Sequence, residues 1–489
     1  MKTIALHLPK VLFALVLLAL AAPAGGQNSL VRQYPVLSGD TVLVRTDNST
    51  FVTCCNTTGW RSCFVVDDGT TCRRFFTTLA PSGIHITDSG YVVYDMQLVN
   101  GVCWFAGYKW FDTGLPFYTL DGQAYNLVTY KAVIGRFNTA DVLNGSGNYG
   151  IIEVSGLHHI ERLAVIGSNV TAIGVKPNGT RQLVELYKIP FFNKYIMTTE
   201  ESSLPQEVFM DVVAAGNKMV LLSRFSTPGS TELTNYFGLR YGTAGLLFGN
   251  TTLHRHDVSP AYNSYLTFPS VHPMRLAATN NGNGVVVAYV AQNDGLPSGN
   301  PWLYKFVLFH IAAENDTYTD VIINTDGEKY TDIADLRFNK PITTNTHMSL
   351  LLQAGPSDVY LRFPPLNFSG STTDVILYTT SPYIQSVAPY QTAATGLELA
   401  AAGHHVLTNT PYTEEILEED ILSLTGTSYS NNCLQTSEGM LSRTSVNSRI
   451  GDLTCSLDTI SVKRSVQFVN HSYTSSIISK TTTCIDGIH

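Results

Sequence analysis

The sequence predicts an all-β protein, a β-propeller of six to eight blades with seven the preferred count, and three observations lead there. Apolar residues alternate at period two in runs of about 5–8, bounded by Gly, Asn, Asp or Pro, as in YVVYDMQLV, RLAVIG, KMVLLSRF and WLYKFVLFHI. Helical periodicity is confined to one stretch, PYTEEILEEDILSL (411–424), which predicts a short helix with Thr413 as N-cap and Glu414, Glu415, Glu418, Glu419 and Asp420 on a solvated face. An apolar–turn–apolar unit also recurs along the chain. Tandem β-sandwich domains are the competing architecture.

The repeat begins with YDMQLVNGVCWFAG (94–107) and returns as ERLAVIGSNVTAIG (161–174), MDVVAAGNKMVLLSR (210–224) and LAATNNGNGVVVAYVA (276–291). Fainter copies are DLRFNKPITTNTHMSLLLQAG (335–355) and SVAPYQTAATGLELAAAG (386–403). The turn glycines Gly101, Gly167, Gly216, Gly282 and Gly396 imply a mean pitch of about 59 residues, long for a WD-type blade but suited to a four-stranded blade with longer loops. A strand pair whose inner member is apolar on both faces fits a blade packed between two neighbours.

The unit, followed by AVIGRFNTADV (132–142), resembles segments of secreted, uncharacterised propeller-like proteins of Bacteroidetes over roughly residues 84–190. VCWFAG and VIGRF depart from that family's pattern in detail. The resemblance implies an exported all-β protein and supplies no catalytic residues.

Residues 1–24 read as a signal peptide: Lys2 and Lys10 are basic, 11–22 are apolar, and Ala22-Pro23-Ala24 is a small-x-small cleavage pattern. The apolar run is too short for a comfortable membrane span, and no later run reaches eighteen residues, so no membrane span is expected after cleavage. The expected product is exported: secreted, periplasmic or at the cell surface. Residues 25–430 would form the propeller-like repeat domain and 431–489 a Ser/Thr-rich C-terminal segment. Charged residues are 14% of the chain and the net charge is −8, without a basic stripe, which excludes a nucleic-acid partner by phosphate tracking.

Cys54, Cys55, Cys63, Cys72 and Cys103 lie near the start, and Cys433, Cys455 and Cys484 near the end. Were all eight paired, five and three could not both be satisfied internally, so at least one disulfide would join the two regions and close the ring. Against this stands Cys103 as a buried thiol within an apolar run. The spacings lack the paired CxxC knuckles of a zinc site.

No GxSxG, HExxH or Walker loop is present, and no cofactor is expected. His254 and His256 would share a strand face beside Asp257, but the third metal ligand is not identified, so no metal is assigned. The adjacent pairs His158-His159 and His404-His405 would point to opposite faces if extended. DDGTT (67–71) reads as a turn. Nine N-x-S/T sequons begin at Asn48, Asn56, Asn144, Asn169, Asn178, Asn250, Asn315, Asn367 and Asn470 and carry no site assignment. Asp95, Glu161, Asp211 and Asp335 precede comparable strands and are read as blade-stabilising acids that bond backbone amides, in preference to carboxylates lining a channel.

The aromatic run WFAGYKWFDTGLPFY (104–118) offers Tyr108, Trp110 and Asp112 as candidate ligand-binding residues, with alternate members in the core. The functional expectation is a non-catalytic binding protein whose partner is an extracellular glycan or a protein. The alternative is a polysaccharide-degrading glycosidase or lyase, whose paired carboxylates could come from distant strands.

Overall fold

A computed structural model describes the backbone of residues 29–37, 39–47, 50–57, 61–77, 90–118, 124–192, 194–202, 207–226, 233–243, 253–257, 266–267, 274–278, 284–293, 302–310, 318–323, 332–339, 347–353, 359–363, 376–378, 384–390, 398–405, 418–427, 441–446, 452–453, 462–477 and 481–485, with side chains inside 43–288 and 465–477. These residues form seven antiparallel sheets, numbered here as blades from the N-terminus. Blade 1 runs outward through Gly39–Asp47, Thr50–Thr57, Arg61–Asp67 and Cys72–Phe76; blade 2 through Gly90–Val99, Val102–Tyr118, Ala124–Asn138 and Ser146–Val154. Blade 3 comprises His159–Ile166, Asn169–Val175, Arg181–Lys188 and Tyr195–Glu200, and blade 4 comprises Glu207–Ala215, Lys218–Ser226, Leu233–Thr243 and Leu253–Asp257. Blades 5 and 6 start at Met274–Ala278 and Asp332–Asn339. In blade 7 the strands Ile384–Tyr390, Glu398–His405 and Glu418–Thr427 are followed by Ser29–Leu37 from the other end of the chain.

The first strands of successive blades touch in a closed cycle, blade 7 meeting blade 1. The protein is therefore a β-propeller, argued from connectivity alone. Each of the six repeat units lies on the first hairpin of its own sheet, in blades 2 to 7. In blade 2 the hairpin turns on Asn100 (φ 51°) and Gly101 (φ 74°), the left-handed pair that a two-residue turn requires.

Cores lie between sheets. On Val102–Tyr118, Cys103 and Phe105 face blade 1, packing with Val52, Phe64 and Phe75, while Trp104 and Ala106 face blade 3, packing with Ile160, Leu163 and Val184. The second strand, next outward from the inner edge, is thus apolar on both faces. The same arrangement continues between blades 3 and 4 (Ile173, Leu183 against Phe209, Val212) and blades 4 and 5 (Val220, Leu222 against Leu276, Val287).

Side chains from one blade also bond the inner backbone of the next. Asn56 donates from Nδ2 to the Val93 carbonyl (2.8 Å) and accepts the Val93 N–H at Oδ1 (2.9 Å). Asp95 accepts the Leu163 N–H at Oδ2 (3.0 Å) and pairs through Oδ1 with Arg45 of blade 1 (2.9 Å). Gln97 grips Leu163 and Val165, and Asp211 accepts the Leu276 N–H (2.9 Å). Asp95 and Asp211 are the amide-bonding acids expected from sequence, although the amides belong to neighbouring blades and not to turns.

The C-terminal segment forms a belt around the outside. It adds a fifth strand to blade 5 (Leu441–Val446), blade 4 (Asp452–Leu453), blade 3 (Val462–Val466), blade 2 (Val469–Thr474), blade 1 (Ser476–Ile477) and blade 7 (Thr481–Ile485), in the reverse of chain order. Two aromatic residues anchor it. Phe468 is buried against Trp104 and Tyr195, with the Arg136 guanidinium 4.4 Å from its ring, and Tyr473 stacks on Phe75 at 4.1 Å. Between them the helix Thr139–Asn144, capped by Asn138 and ended by Gly145 (φ 109°), offers the Val142 carbonyl to Ser475 Oγ (2.6 Å).

Three expectations need correction. Residues 418–427 form a strand and not a helix, because they are flanked by Glu398–His405 and Ser29–Leu37 and pair with both; residues 411–417 lie outside the description. Cys54, Cys63, Cys72 and Cys103 are buried without a disulfide, with burial pushing the Cys63 thiol up to about 12. Side chains of Cys55, Cys433, Cys455 and Cys484 lie outside the description. The chain ends do meet, but the described link is strand pairing between Ser29–Gln33 and Thr481–Ile485, with Leu30 opposite Cys484. Among the described residues no helix is long and apolar enough to cross a membrane.

Replacing Phe468 by Ala should cost about 3–5 kcal/mol of stability in denaturant titration, whereas the exposed neighbour Val469→Ala should stay within about 0.5 kcal/mol. Asp95→Ala should also cost about 3–5 kcal/mol, because it strands the buried Arg45 charge; Arg45→Met combined with Asp95→Leu should recover only the part due to that charge, since the Leu163 N–H stays unpaired.

Candidate functional site

Six of the seven first strands carry a bulge near their start, where the register to the second strand skips one residue. A bulge re-aims a side chain without ending the strand. In blades 2, 3 and 4 the skipped residues are Tyr94, Glu161 and Met210, at equivalent positions of successive first strands; Tyr94 and Glu161 reach the surface, whereas Met210 is buried between blades 4 and 5. The residues that follow, Asp95, Arg162 and Asp211, share one register position and alternate in charge around the ring. Glu161, grouped by sequence with the two aspartates, occupies the bulge instead, and Arg162 takes the equivalent position with Nε 3.9 Å from Asp211. The side chain of Asp335 lies outside the description.

At this end the second and third strands of blade 2 extend well past the first, Trp110 lying opposite Gly90 at its start and the pairing continuing to Tyr118. At the base of this hairpin a cluster of rings spans blades 2 and 3. Tyr108 is its buried floor, with ring centroids 5.7 Å from Tyr94, 5.4 Å from Tyr130 and 5.8 Å from His158. Tyr94 and Tyr130 are more than one-third exposed, Tyr130 lying 4.7 Å from His158 and Tyr94 5.0 Å from His159. Of the residues singled out from sequence, Tyr108 is thus at the centre of the cluster but beneath its surface. Trp110 is half-buried opposite Tyr130, and Asp112 is on the hairpin with its side chain outside the description.

Sequence reasoning missed the exposed members. Tyr130 could have been found by pairing the strand after 118 back onto Trp110, and Tyr94 needed the bulge. It also separated His158 from His159. His158 lies in a bend before the strand, so the two rings meet edge to face with Nδ1···Nδ1 at 2.8 Å. One nitrogen must donate and the other accept, so the contact excludes two imidazolium ions. Burial, with the neighbouring His159, lowers the pKa of His158.

Beyond the imidazoles lies a charged arm. His159 Nε2 is 3.4 Å from Glu161 Oε1, and Arg181 donates to Glu161 Oε2 at 2.8 Å. Burial alone would raise the Glu161 carboxyl, but the His159 hydrogen bond and the charges of Arg181, His159 and Arg162 bring it down to about 2. It is an anion across the physiological range. Arg181 also reaches the Phe209 carbonyl (2.9 Å) and Met210 sulfur (3.3 Å) on blade 4. The surface therefore presents aromatic faces, phenol hydroxyls and imidazoles, then fixed charge.

Elsewhere, His254 packs edge-on against Tyr241, while the His256 side chain and those of His404 and His405 lie outside the description. DDGTT forms the expected turn, with Asp68 Oδ1 accepting the Thr70 and Thr71 N–H groups. Asn56 is buried in its clasp on Val93.

No protein-family model and no curated protein matches the chain. Among solved structures it is similar to the WD40 domain of SCAP from fission yeast, at 8% identity over 81% of this chain and 98% of that one, with a TM-score of 0.21; at that score the likeness adds nothing to the connectivity.

The lowered His158 pKa has a defined sign. Between the ordinary value near 6.5 and the lower folded value, the unfolded chain binds more protons, so stability should fall as pH drops below about 6.5. Thermal melts at pH 7.5 and 5.5 should show a smaller acid-induced drop for His158→Gln than for the parent, with His471, whose pKa is also lowered, retaining part of the response.

Proposed function

We propose that this protein is an exported, non-catalytic binding protein that holds an extracellular glycan at the mouth of the ring, on Tyr94, Tyr130 and His158. The observation that carries the reading is the pair of partly exposed tyrosines set on a rigid scaffold beside two imidazoles and a projecting hairpin. Sugar rings present C–H faces to aromatic rings and hydroxyls to phenols and imidazoles, and Tyr and Trp bury that area at low entropic cost. A ring of sheets is well suited to holding such groups still, since each ring rests on another or on a strand bonded on both sides. The signal-peptide pattern of residues 1–24 and the resemblance to secreted proteins of Bacteroidetes support export.

Among the described residues, the carboxylates at this mouth are unsuited to glycoside hydrolysis. A glycosidase needs one carboxyl protonated near neutral pH, and Glu161 is held ionised by Arg181 and His159. Both oxygens of Asp95 and of Asp211 accept backbone N–H groups.

The purified chain should bind at least one polysaccharide in a panel from plant, host-mucin and bacterial sources without generating new chain ends. Tyr130→Ala and Tyr94→Ala should each weaken that binding about fivefold, corresponding to about 1 kcal/mol per lost ring contact. Release of chain ends would replace the reading with an enzyme. Failure to bind any polysaccharide would remove the glycan and turn the search to a protein ligand.

A further inference from the structure

Beside the charged arm of the mouth lies an arginine that makes no ion pair among the described residues. Arg45 pairs with Asp95, Arg162 with Asp211, Arg181 with Glu161 and Arg240 with Glu207. Arg224 pairs with none of these acids. It lies near the end of the second strand of blade 4, opposite Val208, and is only partly exposed. Its Nε is buried and makes no hydrogen bond. The charge that acts on it is another cation, Arg181, which reaches over from blade 3 to Phe209 and Met210 on the strand beside it. Two guanidinium groups, one with no acid of its own among the described residues, therefore converge at the start of Glu207–Ala215. An unpaired charge held out of water is costly unless something completes it.

A path of direct contacts joins this point to the aromatic surface: Tyr94 to His159 (5.0 Å between rings), His159 to Glu161 (3.4 Å) and Glu161 to Arg181 (2.8 Å). It crosses from blade 2 through blade 3 to blade 4. A ligand reaching both ends is extended, with a ring at one end and an anion at the other.

We propose that the glycan held at this mouth is acidic, and that Arg224 binds its anionic group, a carboxylate or sulfate on the sugar chain, with Arg181 alongside. This rests on the glycan-binding reading and adds the charge of the ligand. A guanidinium presents two parallel N–H donors to such an oxyanion, and the buried Nε is one of the donors that needs an acceptor. Glu161 fixes Arg181 in position and offsets its charge, so the net positive charge left for a ligand is that of Arg224.

The test uses polygalacturonate, hyaluronan, the carboxyl-reduced form of each, and dextran sulfate. At least one acidic polymer should bind roughly tenfold or more tightly than its neutral counterpart, with an affinity that falls as salt rises. Arg224→Gln should abolish that preference while leaving binding of the neutral form unchanged; Tyr130→Ala should weaken both. Preference for the carboxylated polymers identifies carboxylate as the group, and binding of dextran sulfate alone identifies sulfate. Arg224→Gln should melt no lower than the parent, because no ion pair is lost, so a folded variant is available for comparison. Equal binding of acidic and neutral polymers, or an acid preference that survives Arg224→Gln, would overturn the proposal while leaving the glycan reading intact. Absence of binding to every polysaccharide would overturn the glycan reading itself.

Discussion

Every sheet in this ring has an inner edge that no other strand can cover. First strands splay from one another around the axis, so one row of N–H and C=O groups on each has no neighbouring strand within reach. The polar clasps answer that constraint. Asn56 serves both groups of Val93, Gln97 grips Leu163 and Val165, and the carboxylates of Asp95 and Asp211 take the Leu163 and Leu276 amides. Each bond contributes about 0.5–1.5 kcal/mol, more where a carboxylate accepts. Their greater importance is geometric, because they fix how far one blade stands from the next. The apolar cores between sheets can then fill a gap of set width.

The same constraint places the aromatic surface at the mouth. The carboxylate clasps Asp95 and Asp211 share one register position, and the preceding bulge turns them toward the neighbouring blade. The bulged residue is displaced toward the end of the ring. Tyr94 and Glu161 are exposed to the mouth for the same reason that Asp95 and Arg162 are aimed at the next blade. Scaffold and surface are consequences of one irregularity repeated around the ring.

Much of the fold was legible in the sequence because the first hairpin of each blade is buried on both sides and alternates strongly, as Cys103 to Ala106 show. Blade 1 escaped the repeat template because Asn48 and Ser49, not Gly, stand between its first two strands. The belt escaped because VNHSYT and VKRSV are not amphipathic. These strands join sheets already built and need only backbone pairing, with Phe468 and Tyr473 as isolated anchors. The stretch 418–424 had helical spacing, but an empty place between two strands overrode it. The site was half legible. Tyr108 stood out by aromatic density, whereas Tyr94, Tyr130 and the His158–His159 contact depended on a bulge, a register and a bend that composition does not report.

The belt also makes the end of the chain the keeper of its beginning. Ser29–Leu37 lies between Glu418–Thr427 and Thr481–Ile485, so this strand waits through about 380 residues of synthesis, from 38 to 417, before either neighbour exists. Such pairing across the full length is slow to form. Once drawn tight, the belt works as a drawstring. It crosses six of the seven blades, and a blade that swings outward must first break its bonds to the strand binding its rim.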